Sequence, residues 1–413
     1  MPKRNGAICS RVKWQGREAY AIQNDLVRIV ALTGGGHVAS FSFYGARGAA
    51  GMNPLWTPPW KTIEPQRYSP AAHAARYGPP PAGRLLAGIV GHNLCLDYFG
   101  PPSEEEARLG LAVHGEAPNQ PWRKVRPGAT AEGARLALAT RLRVAGLDFQ
   151  REIRLRAGES VAWLHETVTN RREADHFFHW VEHATLGPPF VSHRDSIVSL
   201  PGAEAKTLPG GYDADCLLRP DAEFRWPHAP GASGESVDLT RPFPRRGFGF
   251  VAGIRLDPRR EVEFVAVTNT RARLLFGYCF RRTDFPWMTM WHEDRARKGP
   301  PWMGRCQSLG LEFGTTALPV GRRGSFLAGP LFGTEILTWV PARGSKTICY
   351  CAFLARIPAG FGALSDVRLE DEALALDGSS SDQPLLLKAA GARQLLSAEC
   401  GVRSRRRCVE LKE

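Results

Sequence analysis

The chain has no C-x-x-C pair, no uninterrupted apolar stretch of about 18 residues and little helical periodicity, and each absence removes a class of protein. Nine cysteines, an odd number spread from Cys9 to Cys408, fit neither a disulfide framework nor a structural zinc site, which leaves reduced thiols. Cys349 and Cys351 fall on one face of a strand pattern, where a free thiol packs as a small apolar residue. Without a long apolar run a transmembrane helix is not expected. The opening M-P-K-R-N-G-A-I-C-S is basic but lacks the apolar core of a secretory signal, so the expectation is a soluble, cytoplasmic protein with no membrane partner.

Acidic residues are in deficit. Lys and Arg total 54 against 41 Asp and Glu, a net charge of +13 whose field favours acidic ligands, nucleic acid or anionic membranes. The excess is mostly dispersed arginine; only Arg403, Arg405, Arg406 and Arg407 form a dense cluster, in what reads as a solvated tail. No helix-turn-helix, zinc-finger or aromatic RNA-binding signature accompanies the charge, so nucleic acid is not an expected partner. A dinucleotide loop is excluded as well, because Gly34, Gly35 and Gly36 precede H-V-A-S-F-S-F, a strand pattern, and lack the G-x-G-x-x-G spacing.

What the chain does have is strand. Ala19–Ile22, Leu26–Leu32 and His37–Phe43 are short apolar or alternating runs separated by Asn24-Asp25 and the triple glycine. Leu136–Val144 with Leu147–Leu155, and Ser160–Val168 with His176–His183, read as hairpins across Ala145-Gly146 and Asn170-Arg171-Arg172. Phe248–Ile254, Glu261–Thr268, Leu274–Phe280, Ser308–Phe313, Gly333–Val340 and Thr347–Ala355 continue the series, and a helix is expected only at Pro384–Leu396. Between Gly45 and Gly83 the composition is Pro, Gly, Ala and Trp without a period, a long loop of the kind that covers binding sites, with Trp56 and Trp60 supporting that role. The class is mainly β, a large antiparallel β-sandwich with few helices; length alone permits two or three domains, but sandwiches of this size occur as one unit.

Chemistry gathers at three places. The stretch Phe177–Phe190, read as a strand, puts His179 and His183 on one face, as metal ligands, buried polar residues or acid/base groups. Spacing of four favours chelation from a helix, so a metal site is the weaker reading, and a structural histidine held by hydrogen bonds the plainer one. In L-A-V-H-G-E-A-P-N-Q-P-W, His114 is followed by Gly115, Glu116 and Trp122. In S-L-G-L-E-F-G-T-T, Glu312 shares its face with Gly310 and Gly314, and glycine inside a strand often marks the close approach of a ligand or another backbone.

Together these residues make the sequence resemble the galactose mutarotase-like, or aldose 1-epimerase, family of β-supersandwich proteins over roughly Ala19 to Pro358. The resemblance rests on L-T-G-G-G-H-V-A-S-F, on His114-Gly115 with Trp122, on Asn170 before His183, and on Glu312 in a G-x-E-x-G-T setting, in the family's order of histidine, histidine, glutamate. It is nearest to the hexose-6-phosphate mutarotase branch around L-C-L-D-Y-F-G-P-P and H-G-E-A-P-N-Q-P-W, with Pro118 where that branch has an arginine and G-I-V-G-H-N where it has G-G-I-P. The asparagine-arginine pair of the galactose enzymes is absent, and Arg84 is left as a cation in its place. The resemblance implies a supersandwich over residues 1–360, an extension of unknown role over 361–413, and a small-molecule carbohydrate as ligand.

Opening a pyranose requires a base for the anomeric hydroxyl and an acid for the ring oxygen, with no metal or cofactor. Glu312 suits the base, His183 the acid, and His114 a group that holds or polarises the same oxygen. The substrate contacts that accompany them are Trp291, Arg84, Asp97, Glu116, Trp122 and His179, with Trp287 and Trp291 as sugar-stacking faces or core aromatics. The alternative is a non-catalytic sugar-binding or interaction protein on the same fold.

Overall fold

The computed structural model describes residues 8–130, 133–393 and 402–403. Among them, thirteen strands form one antiparallel sheet whose centre runs Val38–Phe43, His92–Cys95, Val181–Leu186, Gln307–Gly314, Trp287–Asp294, Gly249–Leu256. A second sheet of nine strands, centred on Leu274–Arg281, Ser345–Arg356, Val161–Asn170 and Leu147–Arg156, lies across its inner face. The protein is mainly β, as its alternating runs require.

Period-two patterning assigns each face. In Gln307–Gly314, Leu309, Leu311 and Phe313 enter the core between the sheets, while Gly310, Glu312 and Gly314 take the outer face. Trp287–Asp294 likewise sends Met288 and Met290 inward and Trp287 and Trp291 to the aromatic cluster outside. The inner core closes on stacked aromatics, Phe280 and Phe313 having ring centroids 4.5 Å apart. Burying such a side chain contributes about 1.5–3 kcal/mol.

The inner core also holds a buried polar cluster. Arg151 donates to Glu166 and to Glu182, the latter at 2.7 Å, while the Tyr350 hydroxyl lies 2.8 Å from Glu166 and 2.9 Å from Glu182 and His92 Nε2 lies 2.7 Å from Glu182. Burial, opposed by Arg151, pushes Glu166 up to about 8, which limits the charge this cluster keeps away from water.

Several expectations need correction. The His176–His183 run is not one strand: His176–Phe178 pairs with Thr338–Val340 in a two-stranded ribbon, and only Val181–Leu186 joins the large sheet. His179 and Trp180 bridge the two, so His179 and His183 do not share a face of one continuous strand. Of the expected Gly333–Val340 strand only Thr338–Val340 forms, Gly333 having φ +70°. The Gly45–Gly83 segment contains 3-10 turns and the helix Pro70–Tyr77, which the proline density hid although Pro70 is favourable at a first helical position and four alanines follow.

Of the expected helix at Pro384–Leu396, Leu385–Lys388 is a strand, where Leu385 and Leu387 alternate inward against the exposed Leu386, while the described residues 392 and 393 are helical. Part of that helix and residues 405–407 of the arginine cluster lie outside the described residues, and Arg403 pairs with Ser345. The extension after Phe361 contributes to the packing of the sandwich. Leu364–Leu369, Ala373–Gly378 and Leu385–Lys388 form a small sheet whose Leu364, Val367, Leu374 and Leu376 pack on the outer face of the nine-stranded sheet against Trp163, Phe264 and Phe353. Among the described residues no helix is long and apolar enough to cross a membrane.

Candidate active site

One register row crosses the outer face of the large sheet. Asn93 pairs with His183, His183 with Glu312, Glu312 with Thr289, and Thr289 with Gly253, so five adjacent strands place these residues side by side. The segment Trp56–Ile89 folds over this face, bringing Trp56, Trp60, Leu85 and Ile89 against Trp287, Trp291 and Trp302. Between cover and sheet lies a cavity of about 450 Å³ whose wall includes His114, His183, Glu312 and Trp291. That volume falls in the range of small-molecule sites, about 300–1,000 Å³.

His183 and Glu312 are both buried, with His183 Nε2 3.1 Å from Glu312 Oε1. The two atoms touch without the alignment of a hydrogen bond, and Oε1 has no other partner. His183 Nδ1 lies 3.1 Å from Thr185 Oγ1, which fixes the ring. Burial pushes the Glu312 carboxyl well above its ordinary range and pushes His183 down to about 3. Burial thus favours the uncharged form of each group, a carboxylic acid beside a neutral imidazole.

The glycines beside Glu312 have local explanations. A Cβ on Gly310 would stand 2.3 Å from Glu312 Oε1 and 3.1 Å from Trp291 Cβ, so the clearance is filled by the carboxylate itself. A Cβ on Gly314 would meet Trp180 O at 2.7 Å, making that glycine a place where two strands approach.

His114 reaches the cavity from a strained turn. Its φ of +67° lies in the left-handed region, Gly115 follows at +80°, and a Cβ on Gly115 would stand 2.3 Å from Leu96 O. His114 Nδ1 accepts a hydrogen bond from Gly100 N at 3.1 Å, which places the proton on Nε2. The apolar surround, with His183 next to it, keeps the ring neutral by lowering its affinity for a second proton. Phe99 stacks on this imidazole at 5.1 Å, and the His114 and His183 rings are also 5.1 Å apart.

Other expected contacts are elsewhere. Asp97 is buried in a bridge to His176 at 3.1 Å and Arg322 at 2.7 Å, and is absent from the cavity wall. Glu116 accepts from Val144 N and Ala145 N and so holds a hairpin turn. Trp122 is a core ring against Gly36, Phe149 and Arg151, its Nε1 donating to Ala117 O. His179 accepts from Phe99 N at 2.9 Å and reaches the site only through that phenylalanine. Arg84 sits on the Gly83–Gly88 helix, whose Leu85 and Leu86 line the cavity while Arg84 does not. Asp97, Glu116, Trp122 and His179 were placed by their nearness in sequence to a motif, and each serves the scaffold around it, whereas Arg84 stood in for the missing asparagine-arginine pair. Among the described residues no three His, Cys, Asp or Glu side chains converge as metal ligands.

The structure adds wall residues that the sequence pattern did not single out. Trp302 crosses Trp291 at 6.0 Å, and Arg297 lies 4.4 Å over Tyr212 and 4.8 Å over Trp302 while paired with Asp213 at 2.6 Å. Tyr212 donates to Glu293 at 2.6 Å and accepts from Trp291 Nε1 at 3.1 Å. These residues sit on loops, where no periodicity announces them; only the local density of aromatics around Trp291 was a signal.

No family model matches the chain, and no curated protein matches it. Its fold does match solved structures. A candidate aldose 1-epimerase from Klebsiella pneumoniae aligns with TM-score 0.57 at 15% identity, covering 83% of this chain and 80% of its own. A galactose mutarotase-like protein from Clostridium acetobutylicum aligns with TM-score 0.54 at 11% identity over 85% of this chain and 99% of its own. A galactose mutarotase related enzyme from Lactobacillus acidophilus gives TM-score 0.52 at 11% identity over 85% and 100%. At such identities the likeness concerns the fold, which is galactose mutarotase-like.

Proposed function

We propose that the protein is a carbohydrate isomerase of the aldose 1-epimerase type, which interconverts sugar anomers with Glu312 as base and His183 as acid. The observation that carries this reading is the His183–Glu312 contact in the wall of an aromatic-lined cavity. In ring opening, Glu312 takes the proton of the anomeric hydroxyl, the bond from the anomeric carbon to the ring oxygen breaks, and His183 delivers a proton to that oxygen. Rotation about the adjacent carbon–carbon bond and the reverse transfers close the other anomer, so atoms and protons balance.

Proton count supports the assignment. A carboxylic acid beside a neutral imidazole holds the same single proton as a carboxylate beside an imidazolium. Burial favours the first arrangement; hydrogen bonds from sugar hydroxyls favour the second, which is the form that opens the ring. His114, with Nε2–H available, donates to an oxygen of the reacting centre, and Trp291 and Trp302 offer faces to the C–H side of the ring.

A phosphate on the sugar is not required in this reading. Pro118 is buried, with its carbonyl accepting from His37 at 3.2 Å, and Arg297 is already paired with Asp213 and Glu293. A second reading, a non-catalytic sugar-binding protein on the same fold, draws support from the burial that disfavours the charged form of both Glu312 and His183. Polarimetry or exchange NMR on a panel of hexoses and pentoses separates the two. Acceleration of anomer exchange supports the isomerase, and sugar binding without acceleration for any of them supports the second reading.

A further inference from the structure

We infer that the cavity is built for a reducing sugar whose hydroxyls are largely replaced or capped by apolar groups, a deoxy, O-methyl or O-acyl sugar, in preference to a fully hydroxylated aldose; this rests on the reading of His183 and Glu312 as acid and base. The wall is mostly apolar, and its charged side chains beyond the reacting pair, Asp213 and Arg297, are paired with each other. Among the described residues lining it, His114, His183 and Glu312 keep unspent hydrogen-bonding capacity around the reacting centre, and the Trp302 indole N–H is a further donor without a protein partner. Tyr212 spends its hydroxyl on Glu293 and Trp291, and Arg297 is engaged by Asp213 and Glu293. Asp213 is largely exposed and holds Arg297.

Away from the reacting centre the wall is mostly aliphatic and aromatic. Leu85, Leu86 and Ile89 come from the cover, Val113 precedes His114, and Val251, paired with Trp291 in the sheet, joins Leu208 in the wall. A fully hydroxylated pyranose carries a hydroxyl on nearly every carbon, and each one turned toward these side chains gives up its water without a replacement partner. A methyl, methoxy or acyl group at the same place gains from the burial that penalises the hydroxyl. The polar groups thus recognise the anomeric carbon and ring oxygen, and the apolar wall selects what the rest of the sugar carries.

Tetra-O-methyl-D-glucopyranose keeps a free anomeric hydroxyl with its other hydroxyls capped, and D-glucose is its uncapped counterpart. Titration calorimetry on the full chain gives a Kd for each sugar, and polarimetry gives turnover separately. We expect the capped sugar to bind at least tenfold more tightly, within the about 10–10²-fold range over which apolar pockets discriminate. Equal affinities, tighter glucose binding or no binding of the capped sugar overturns the inference.

Leu86→Gln, at a half-buried lining position, should narrow the ratio, and Val113→Thr should do so if Leu86→Gln lowers the melting temperature. An unchanged ratio in a folded variant also overturns it. The two proposals fail separately. Preferential binding without acceleration of either sugar removes the isomerase reading and leaves the apolar selection, whereas equal affinities with acceleration of both do the reverse.

Discussion

His183 Nε2 stands 3.1 Å from Glu312 Oε1 across two antiparallel strands in which the two residues are direct register partners. Sheet pairing itself sets this distance, since directly opposed side chains leave the same face within about 5 Å of each other. A slip of one residue in either strand would turn one of the pair into the core, so the chemistry depends on the hydrophobic alternation that fixes register.

The pair also predicts an unusual pH profile. With His183 lowered to about 3 and Glu312 raised by burial, the pair keeps its single proton throughout the interval between the two. The value of kcat/KM, which reports the free protein, should be level above the His183 value of about 3 and fall on the alkaline side as Glu312 loses its proton. An inflection at the ordinary imidazole value of about 6.5 would show that a solvent-accessible histidine carries the reaction instead.

Stability should respond to Glu312 with a definite sign. A group whose folded pKa is raised contributes stability that is complete below its unfolded value, about 4.5, and is lost as pH rises toward the folded value. Glu312→Gln removes that loss. The difference in Tm between the variant and the parent should be near zero at pH 4 and grow in the variant's favour toward pH 8; a difference that shrinks over this interval would show the carboxylate to be stabilised by a partner.

His292 should act in the opposite direction. It is buried against Phe250 with ring centroids 4.9 Å apart, accepts from Phe243 N at 3.0 Å, and burial lowers it to about 3. A depressed group holds its full stability above the unfolded value of about 6.5 and loses it as pH falls toward 3. Compared with the parent, His292→Phe should show a shallower fall of Tm between pH 6.5 and pH 4, whatever its Tm at neutral pH. An identical slope would place the acid sensitivity in other residues.

Much of the architecture was legible because β-structure writes itself in period two. The alternation in S-L-G-L-E-F-G identified the core and site faces of its strand, and His114, His183, Glu312 and Trp291 come to one cavity from separate parts of the chain. Asp97, Glu116 and Trp122 show the limit. Polar or aromatic residues close to a motif in sequence were read as ligand contacts, yet burial gave each a scaffold partner, and sequence distance does not reveal which way a loop turns. His179 failed for a similar reason, because the break at Trp180 depends on Thr315, whose Oγ1 accepts from Trp180 N at 2.9 Å across 135 positions. Tyr212, Arg297 and Trp302 meet only through tertiary folding.

Arg151 should prove indispensable to the fold. It bonds Glu166, Glu182 and Gly36 O from a fully buried position, and its loss would leave these buried acceptors without their donor and the cluster without its cation. Arg151→Ala should cost about 3–5 kcal/mol in denaturant unfolding. A loss below about 1 kcal/mol would show that the cluster protonates and repacks without strain.

Phosphorylation of the sugar should bring no advantage. The kcat/KM for glucose 6-phosphate should not exceed that for glucose, and a strong preference for the phosphorylated sugar would mean that Arg297 or Arg84 is released from its present setting to bind the phosphate.

The acid–base assignment itself is tested most directly by anomer exchange NMR on Glu312→Gln, with the sugar's Kd measured in parallel. The substitution keeps the side chain's shape and removes the base. Turnover should fall by about 10²-fold to 10⁴-fold with Kd changed far less, and His183→Asn should behave alike. A folded Glu312→Gln protein that retains its turnover would contradict the assignment.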